Sequence, residues 1–375
     1  MSGPAILCVH PNGELYGSDR VFIQSVRAFR ARWPDARITV VLPVEGPLAQ
    51  ALRAIESDVR VEPLFVLRRA KLGRTIANLL ALVPHIVAAR RRIAAHDLTY
   101  VSTVVLLDYL LASRWARRGR LIHVHELPTG RARAVFAQIL RAAGGRLAFI
   151  SAAVRDAFPE LRGRPHAVIW NGTADRPAPA AAPRDGRPLH LLLIGRFNAW
   201  KGQTTLIEAV ARLSPVARAG LKVRLVGSVY EDQRHFADDI HAAIDRHGLG
   251  DTIEVHGFDP VPDAHYAWAD VVAVPSTRPE PFGLVAIEAM AAARAVIAAG
   301  HGGLAEIVAD GETGTLVTPG DADALARAIA CHLDDPALAA RQGAAGRARF
   351  EREFREDVYM RRMADAADAA IVGSG

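Results

Sequence analysis

Two cations separated by four residues stand in GRFNAWKG (195–202), where Gly195 and Gly202 bracket Arg196 and Lys201. The segment directly follows the apolar run LHLLLIG (189–195), and a helical pattern begins near Thr204. Glycine lets a backbone turn sharply and approach a ligand closely. Two cations beside a helix N-terminus, whose free N–H groups point outward, form a site for a diphosphate. An ordinary basic strand-to-helix loop has the same ingredients, so the reading needs other segments beside it.

The acids come from EPFGLVAIE (280–288). Pro279 and Pro281 hold the approach extended. Glu280 then lies in the loop, Gly283 at a helix start, and Glu288 one to two turns inside the helix. Carboxylates accept hydrogen bonds from vicinal hydroxyls, so two spaced carboxylates suit a ribose and a hexose. Free N–H groups at that helix start would meet a phosphate or a hydroxyl. A loop acid followed by a solvated helix acid is the plainer alternative.

Three further segments follow strand-like runs. In HVHE (123–126), His123 and His125 share one face of a strand and could hydrogen-bond a sugar or hold a metal. The rest of a metal set is not identifiable, so no metal is expected, and His123 has a structural reading as well. NGELYGSDR (12–20) places Gly13 and Gly17 ahead of a helix, as a phosphate or acceptor loop would. It is not G-x-G-x-x-G, which argues against a dinucleotide. GHGGLAEIV (300–308) is a glycine cluster opening a helix, again read as close approach to a phosphate-bearing ligand.

The elements that must position these residues alternate along the chain. AILCVH (5–10), RITVVLP (37–43), LTYVST (98–103), LIHVHE (121–126) and LAFIS (147–151) read as strands, with helices over 20–32 and 47–55. The proline-rich ADRPAPAAAPRDGRP (174–188) marks a linker. Beyond it, strands are expected at 189–195, 221–227, 252–257, 271–276, 295–300 and 315–319, and helices at 204–213, 236–247, 284–292, 321–333 and within 336–372. Such alternation indicates βαβ units, parallel sheets and ligand crevices at strand carboxyl ends.

Composition sets the outer limits. The chain has 375 residues, 50% hydrophobic and 23% charged, enough for two domains with their own cores. Cys8 and Cys331 form neither a disulfide framework nor a zinc motif. The apolar run at 5–9 is too short for a signal peptide, and the run at 101–112 is interrupted by Asp108. A cytoplasmic setting is therefore expected, with peripheral attachment to the inner face of a membrane as its variant. Residues 1–175 carry 25 Lys and Arg against 13 Asp and Glu, whereas 176–375 carry 21 against 27. The basic clusters are Arg68, Arg69, Lys71 and Arg74; Arg90 to Arg92; Arg114, Arg117, Arg118 and Arg120; and Arg131 and Arg133. They suit an anionic membrane surface or an acidic acceptor. Solvated helix faces are the plain alternative, and no aromatic-interleaved motif points to nucleic acid.

Taken in order, these segments resemble the retaining glycosyltransferases of the GT-B fold, family four. The likeness covers nearly the whole chain and is strongest over 189–320. GRFNAWKG is similar to the family's G-R-x(4)-K-G element, and Glu280 and Glu288 match its E-x(7)-E motif with PFGL after the first acid. The segment beginning GGLAEIVADGETGTLVTPGD, together with VIWNGT (168–173) and FISAAVRDAF (149–158), extends the match.

The resemblance implies an α/β architecture of two Rossmann-like domains facing a central cleft. They would span 1–175 and 189–355, with a linker at 176–188 and a C-terminal helix at 356–375 crossing back to the first. It implies sugar transfer from a nucleotide-diphosphate sugar to an acceptor glycan, glycolipid or small molecule, with retention, no divalent metal and no cofactor. Arg196 and Lys201 would hold the diphosphate. Glu280 and His125 would contact the donor sugar, with N–H groups of Phe282, Gly283 and Leu284 nearby, and Glu288 would bind the ribose. Gly17 and Gly195 would let the loops approach, and the base would stack near Gly257, Phe258 and Val261.

Three departures stand out: YGSDR replaces the commoner G-G-x-E, Ala293 stands where glycine is usual, and Ala295 where proline is frequent. A sugar-nucleotide epimerase or a non-catalytic sugar-nucleotide-binding protein on the same fold is the competing reading. The first lacks extra acid/base carboxylates, and the second would be expected to lose Glu280, Lys201 or Arg196.

Overall fold

The computed structural model describes residues 3–56, 58–67, 75–177, 186–229 and 233–373, with 75–81 as backbone only. It divides into two units, Met1–Gly172 with Glu356–Gly375, and Thr173–Arg355.

Unit 1 runs β1 (Ala5–Val9), α1 (Gly17–Arg32), β2 (Arg37–Leu42), α2 (Pro47–Arg53), β3 (Asp58–Val61), α3 (Thr75–Ala94), β4 (Leu98–Val101), α4 (Leu107–Ser113), β5 (Gly119–Val124), α5 (Gly130–Ala143), β6 (Arg146–Phe149), α6 (Ala152–Asp156) and β7 (His166–Val168). Its strands form one seven-stranded parallel sheet in the order β3-β2-β1-β4-β5-β6-β7. β1 and β4 are buried apolar runs because helices cover both faces of the central strands. β3 and β7 lie at the two edges and are not marked in the sequence; they are short and half-exposed, so no continuous apolar run announces them.

Unit 2 runs β8 (Leu189–Ile194), α7 (Gln203–Arg212), α8 (Pro215–Ala219), β9 (Leu221–Val226), α9 (His235–Arg246), β10 (Ile253–His256), α10 (Asp263–Trp268), β11 (Val271–Val274), α11 (Leu284–Ala291), β12 (Ala295–Ala299), α12 (Leu304–Ile307), β13 (Gly314–Val317), α13 (Ala322–Asp334) and α14 (Leu338–Glu353). The sheet is six-stranded and parallel, ordered β10-β9-β8-β11-β12-β13. Its core is Leu191, Leu193, Leu206, Ile207, Leu225, Val271, Ile297 and Ile329, all nearly inaccessible. Burying each such side chain contributes roughly 1.5–3 kcal/mol. Asp321 caps α13 by accepting from the Ala324 N–H at 2.9 Å.

The last helix, α15 (Glu356–Val372), belongs to unit 1 and packs on α1 and β5. Tyr359, Met363, Ala367 and Ala370 enter the unit 1 core. Small residues permit this approach: a methyl added to Gly119 would lie 3.0 Å from the Ala370 carbonyl oxygen. A buried hydroxyl network fixes the register, with Ser25 Oγ 2.6 Å from Tyr359 Oη and 2.9 Å from Tyr100 Oη.

In each sheet the strand order reverses once, between β1 and β4 in unit 1 and between β8 and β11 in unit 2. Open α/β sheets bind ligands at such reversals, beyond the strand carboxyl ends. The loops after β1, β4, β8 and β11 are therefore where chemistry is sought. The apolar run at 101–112 is the end of β4, its loop and most of α4, and Asp108 in it is buried, accepting from the Phe65 and Tyr109 N–H groups at 2.9 and 2.8 Å. Among the described residues no helix is long and apolar enough to cross a membrane. The basic cluster Arg68, Arg69, Lys71 and Arg74 lies outside the described residues.

Candidate functional site

In unit 2 the loop after β8 is tied down by its own side chains. Asn198 Oδ1 accepts from the backbone N–H groups of Trp200 at 3.0 Å and Lys201 at 2.9 Å, which closes a tight turn. The Trp200 carbonyl accepts from the Thr277 N–H at 2.8 Å, joining this loop to the one after β11. Gly202 adopts φ 85° and ψ 20°, a left-handed conformation, and caps α7. Gln203 Nε2 donates to the Arg196 carbonyl at 3.0 Å.

These ties bring Lys201 to Glu280. Lys201 Nζ donates to Glu280 Oε1 at 2.8 Å and lies 4.6 Å from the centre of the Trp200 ring. Ser276 Oγ donates to the same carboxylate oxygen. Glu280 is 6% exposed, so its charge is held in a nearly dry setting by one ammonium and one hydroxyl. Arg196 sits on the same loop, one residue beyond Gly195. Phe282 is buried, Gly283 has φ 133°, and α11 opens at Leu284, so three successive N–H groups lie at a helix start.

Glu288 stands one turn into α11 in different company. Tyr266 Oη donates to its Oε2 at 2.7 Å, and Arg176 Nη2 lies 3.6 Å from its Oε1. Arg176 also covers the Tyr266 ring at 4.9 Å and pairs with Asp263. Burial and the neighbouring carboxylate push the Tyr266 phenol well above its ordinary pKa, so it stays a donor. Tyr266 carries no motif signal, because it meets Glu288 through a single hydrogen bond reaching from α10.

Beyond β10, Gly257 borders open space, and Phe258 and Val261 are 61% and 65% exposed. Large apolar surface left open on a loop is available to stack a flat ring.

The glycines of GHGG pack against the loop that carries Glu280. A methyl at Gly302 would lie 2.9 Å from the Glu280 nitrogen, and one at Gly303 would lie 2.5 Å from Phe282 Cα. The Gly303 N–H donates to the Glu280 carbonyl at 2.9 Å. The cluster makes room for the backbone of residues 280–282, and α12 beyond it is four residues long. His301 Nε2 donates to the Ser276 carbonyl at 2.9 Å and braces the same loop.

In unit 1 the loops after β1, β4 and β5 enclose a cavity of ≈ 420 Å³. His10 lies between Ser102 Oγ, 2.6 Å from Nδ1, and Asp19 Oδ1, 2.7 Å from Nε2, and stacks on Phe22 at 4.6 Å. Asp19 also accepts from the Tyr16 N–H at 2.9 Å, fastening the start of α1. Glu126 accepts from Thr103 Oγ1 and from the His125 N–H at 3.1 Å. The substitution of YGSDR for G-G-x-E thus leaves an acid, Asp19, that holds the loop through His10. Gly17 is the first residue of α1, and Gly13 faces Val44, where a methyl would be 3.2 Å from its carbonyl oxygen.

The two imidazoles of HVHE lie 4.0 Å apart but differ in role. His123 is fully buried, with Nδ1 2.8 Å from Tyr100 Oη, and belongs to the core. His125 lines the cavity. Among the described residues no group of three or more metal-ligating side chains is assembled.

Burial pushes His125 down to about 3 and His123 well below the ordinary imidazole value, and it lowers His10 against the pull of Asp19. All three are neutral at pH 7. Their folded-state values lie below the unfolded one, so the unfolded chain binds more protons as the pH drops below about 6.5. Stability is therefore full above that pH and is lost on acidification. We expect the unfolding free energy of unit 1 to fall by about 1–1.4 kcal/mol per pH unit below pH 6 through His125, with His10 and His123 adding in the same direction. Denaturant unfolding at pH 7.5, 6 and 5 measures this, and a flat profile would contradict it.

Residues 177–349 match the family described as glycosyl transferases group 1. That segment is nearly all of unit 2. It is 36% identical over 189 residues to the lipopolysaccharide core biosynthesis mannosyltransferase LpcC of Rhizobium leguminosarum bv. viciae, a match spanning 48% of this chain and 53% of that one. It is 38% identical over 201 residues to a D-inositol 3-phosphate glycosyltransferase of Streptomyces avermitilis, covering 51% and 43% respectively. The chain therefore spans about half the length of these relatives. Among solved structures, Anabaena Alr3699/HepE in complex with UDP and glucose is 25% identical, with a TM-score of 0.79 over 98% of this chain and 100% of that one. The two parallel sheets, each flanked by helices, are those of the GT-B fold.

Proposed function

We propose that this chain is a group 1 glycosyl transferase that moves a hexose from a nucleotide-diphosphate sugar, with UDP as the nucleotide, to an acceptor hydroxyl, retaining anomeric configuration without a divalent metal. The observation that carries the reading is the Lys201–Glu280–Ser276 cluster at the strand-order reversal of unit 2, beside Arg196 and a helix start. The nucleotide is taken from the likeness to HepE, which has been seen with UDP and UDP-glucose.

In this reading Lys201 turns from Glu280 toward the diphosphate and, with Arg196, stabilises the charge that grows as the sugar C1–O bond breaks. These side chains supply the positive charge that a metal would otherwise provide. The acceptor oxygen forms its new bond to C1 on the same face, and its proton passes to the departing phosphate oxygen. Glu280 and the N–H groups at Phe282, Gly283 and Leu284 hold sugar hydroxyls. Glu288, oriented by Tyr266, takes the ribose. Phe258 and Val261 offer the base a surface, and His125, a neutral imidazole, is assigned to the sugar.

The acceptor is a glycan, a glycolipid or a small molecule. Peripheral attachment to an anionic inner membrane face is part of the proposal. Its support is the basic charge of the first half, although Arg92, Arg118 and Arg133 are paired with Glu62, Asp97 and Glu160. A thermal-shift panel of UDP-, GDP-, ADP- and CDP-sugars tests the donor assignment. At a hundred times Kd a bound donor adds about 2.7 kcal/mol to the stability of the unit that holds it. We expect the UDP-sugars to raise Tm most; no shift with any member would remove the reading.

A further inference from the structure

Trp200 stands inside the GRFNAWKG loop, yet the turn there is closed by its backbone. Its N–H donates to Asn198 Oδ1 at 3.0 Å, and its carbonyl accepts from the Thr277 N–H at 2.8 Å and from Thr277 Oγ1 at 3.4 Å. The ring is partly buried and lies outside the apolar core of unit 2. What it meets is the Lys201 ammonium, 4.6 Å from its centre. The Lys201 stem passes Gly195, where a methyl would lie 3.9 Å from its Cδ, and the side chain is 20% exposed. The ammonium therefore has two attachments of unlike character. Glu280 holds it by charge at 2.8 Å, and the indole holds it by the electron-rich face of a neutral ring.

We infer that Trp200 is a positioning residue for sugar transfer: its indole face carries the Lys201 ammonium from Glu280 to the donor diphosphate. The inference rests on the transferase reading above, since Lys201 is the group it acts through. A cation that must change anionic partners is misplaced if nothing holds it between them. A second carboxylate in that place would compete with the diphosphate for the ammonium and repel the diphosphate itself. A neutral aromatic face attracts the cation and leaves an arriving anion unopposed, and the attraction is strongest where water is scarce. The residue type at 201 fits this service. An ammonium on a four-carbon stem is a compact charge that can pivot over a ring, whereas a guanidinium would grip the carboxylate with a two-pronged bond. Lys71, Lys201 and Lys222 are the only lysines in a chain with 46 basic residues, so the arginine that prevails elsewhere is not the cation used here.

So few lysines make the contact readable by NMR. The full chain is prepared with isotope-labelled lysine, and the Lys201 signals are assigned by their loss in Lys201→Met. We expect the Lys201 ε-methylene protons to resonate upfield of those of the exposed Lys222 through the ring current of Trp200. They should stay upfield when UDP is added, while the Nζ signal moves. In Trp200→Leu they return to the position of the Lys222 signals. UDP affinity, measured by calorimetric titration, should fall about tenfold in Trp200→Leu and about threefold in Trp200→Phe, which keeps a weaker face. In the Lys201→Met background Trp200→Leu should cost under about twofold, because the residue acts through the lysine. Four outcomes would overturn the inference: Lys201 signals at the ordinary position in the parent, an upfield shift lost when UDP binds, affinity kept in full in Trp200→Leu, or affinity lost equally with and without the lysine. If Trp200→Leu fails to fold, the parent signals and Trp200→Phe carry the decision. A parent chain whose lysine lies over the ring but which does not bind UDP refutes the donor reading; one that binds UDP with Lys201 away from the ring refutes only this inference.

Discussion

Replacing Lys201 with alanine is expected to lower sugar transfer at least a hundredfold in kcat/KM, and Glu280→Ala to do the same. A hundredfold loss is about 2.7 kcal/mol of transition-state stabilisation. That is the size expected when a preorganised charge aimed at a leaving group is removed from a water-poor site. Lys201 is suited to the task because Asn198 fixes its backbone, Trp200 lies beneath its ammonium, and Glu280 holds it 2.8 Å away until a ligand competes.

The same pair makes a second, separable forecast. Either single change strands its partner: without Lys201, the carboxylate of Glu280 stays buried with Ser276 as its remaining donor. An unpaired buried group costs about 1–3 kcal/mol, so each single variant is expected to unfold earlier. The double variant Lys201→Ala with Glu280→Ala removes both charges and should regain most of that stability while recovering no activity. Donor turnover, read as nucleotide release, and denaturant unfolding of the four proteins measure the cycle. Turnover near the parent's in both single variants would remove the assigned roles; stability lost additively in the double variant would remove the pairing argument.

Much of this frame could be read from residue order. LHLLLIG and VVAVPS are continuous apolar runs because β8 and β11 are covered on both faces, and the two loops that follow them carry the cations and acids. What could not be read depends on packing between distant segments. Ser102 lies 92 residues from His10, and Tyr266 lies 22 residues from Glu288, so no spacing rule joins either pair. β3 and β7 escape notice because an edge strand buries only part of itself.

Glycine was legible as a signal but ambiguous in cause. GHGG yields to the backbone of residues 280–282, and Gly13 to the loop bearing Val44. Ala293 shows the converse. It stands where the family usually has glycine, yet the turn keeps φ 55°, the one left-handed non-glycine residue among those described. A β-carbon there costs about 1–2 kcal/mol, which the packing of α11 and α14 on β12 must offset.

The position where that ambiguity matters most is Gly202. Its φ of 85° disfavours any side chain, and an added methyl would lie 2.8 Å from the Pro275 carbonyl carbon and closer still to its oxygen. Neither atom can retreat, since Pro275 leads directly into Ser276 and Thr277, and Thr277 is bonded to the Trp200 carbonyl at 2.8 Å. Gly202→Ala therefore has to separate the two loops that bring Lys201 to Glu280. We expect it to destabilise unit 2 by about 2–4 kcal/mol, the sum of left-handed strain and overpacking, and to weaken donor binding at least tenfold. Gly257→Ala is the matched control, on a loop equally close to the proposed nucleotide. Nothing lies near its added methyl and its φ is not left-handed, so its stability should stay within about 0.5 kcal/mol of the parent. Denaturant midpoints and UDP titrations of the two variants decide the matter. If Gly202→Ala folded and bound UDP like the parent, the loop junction would not be what holds the lysine in place. If Gly257→Ala instead lost UDP binding with its fold intact, the nucleotide would approach that loop more closely than an open surface requires.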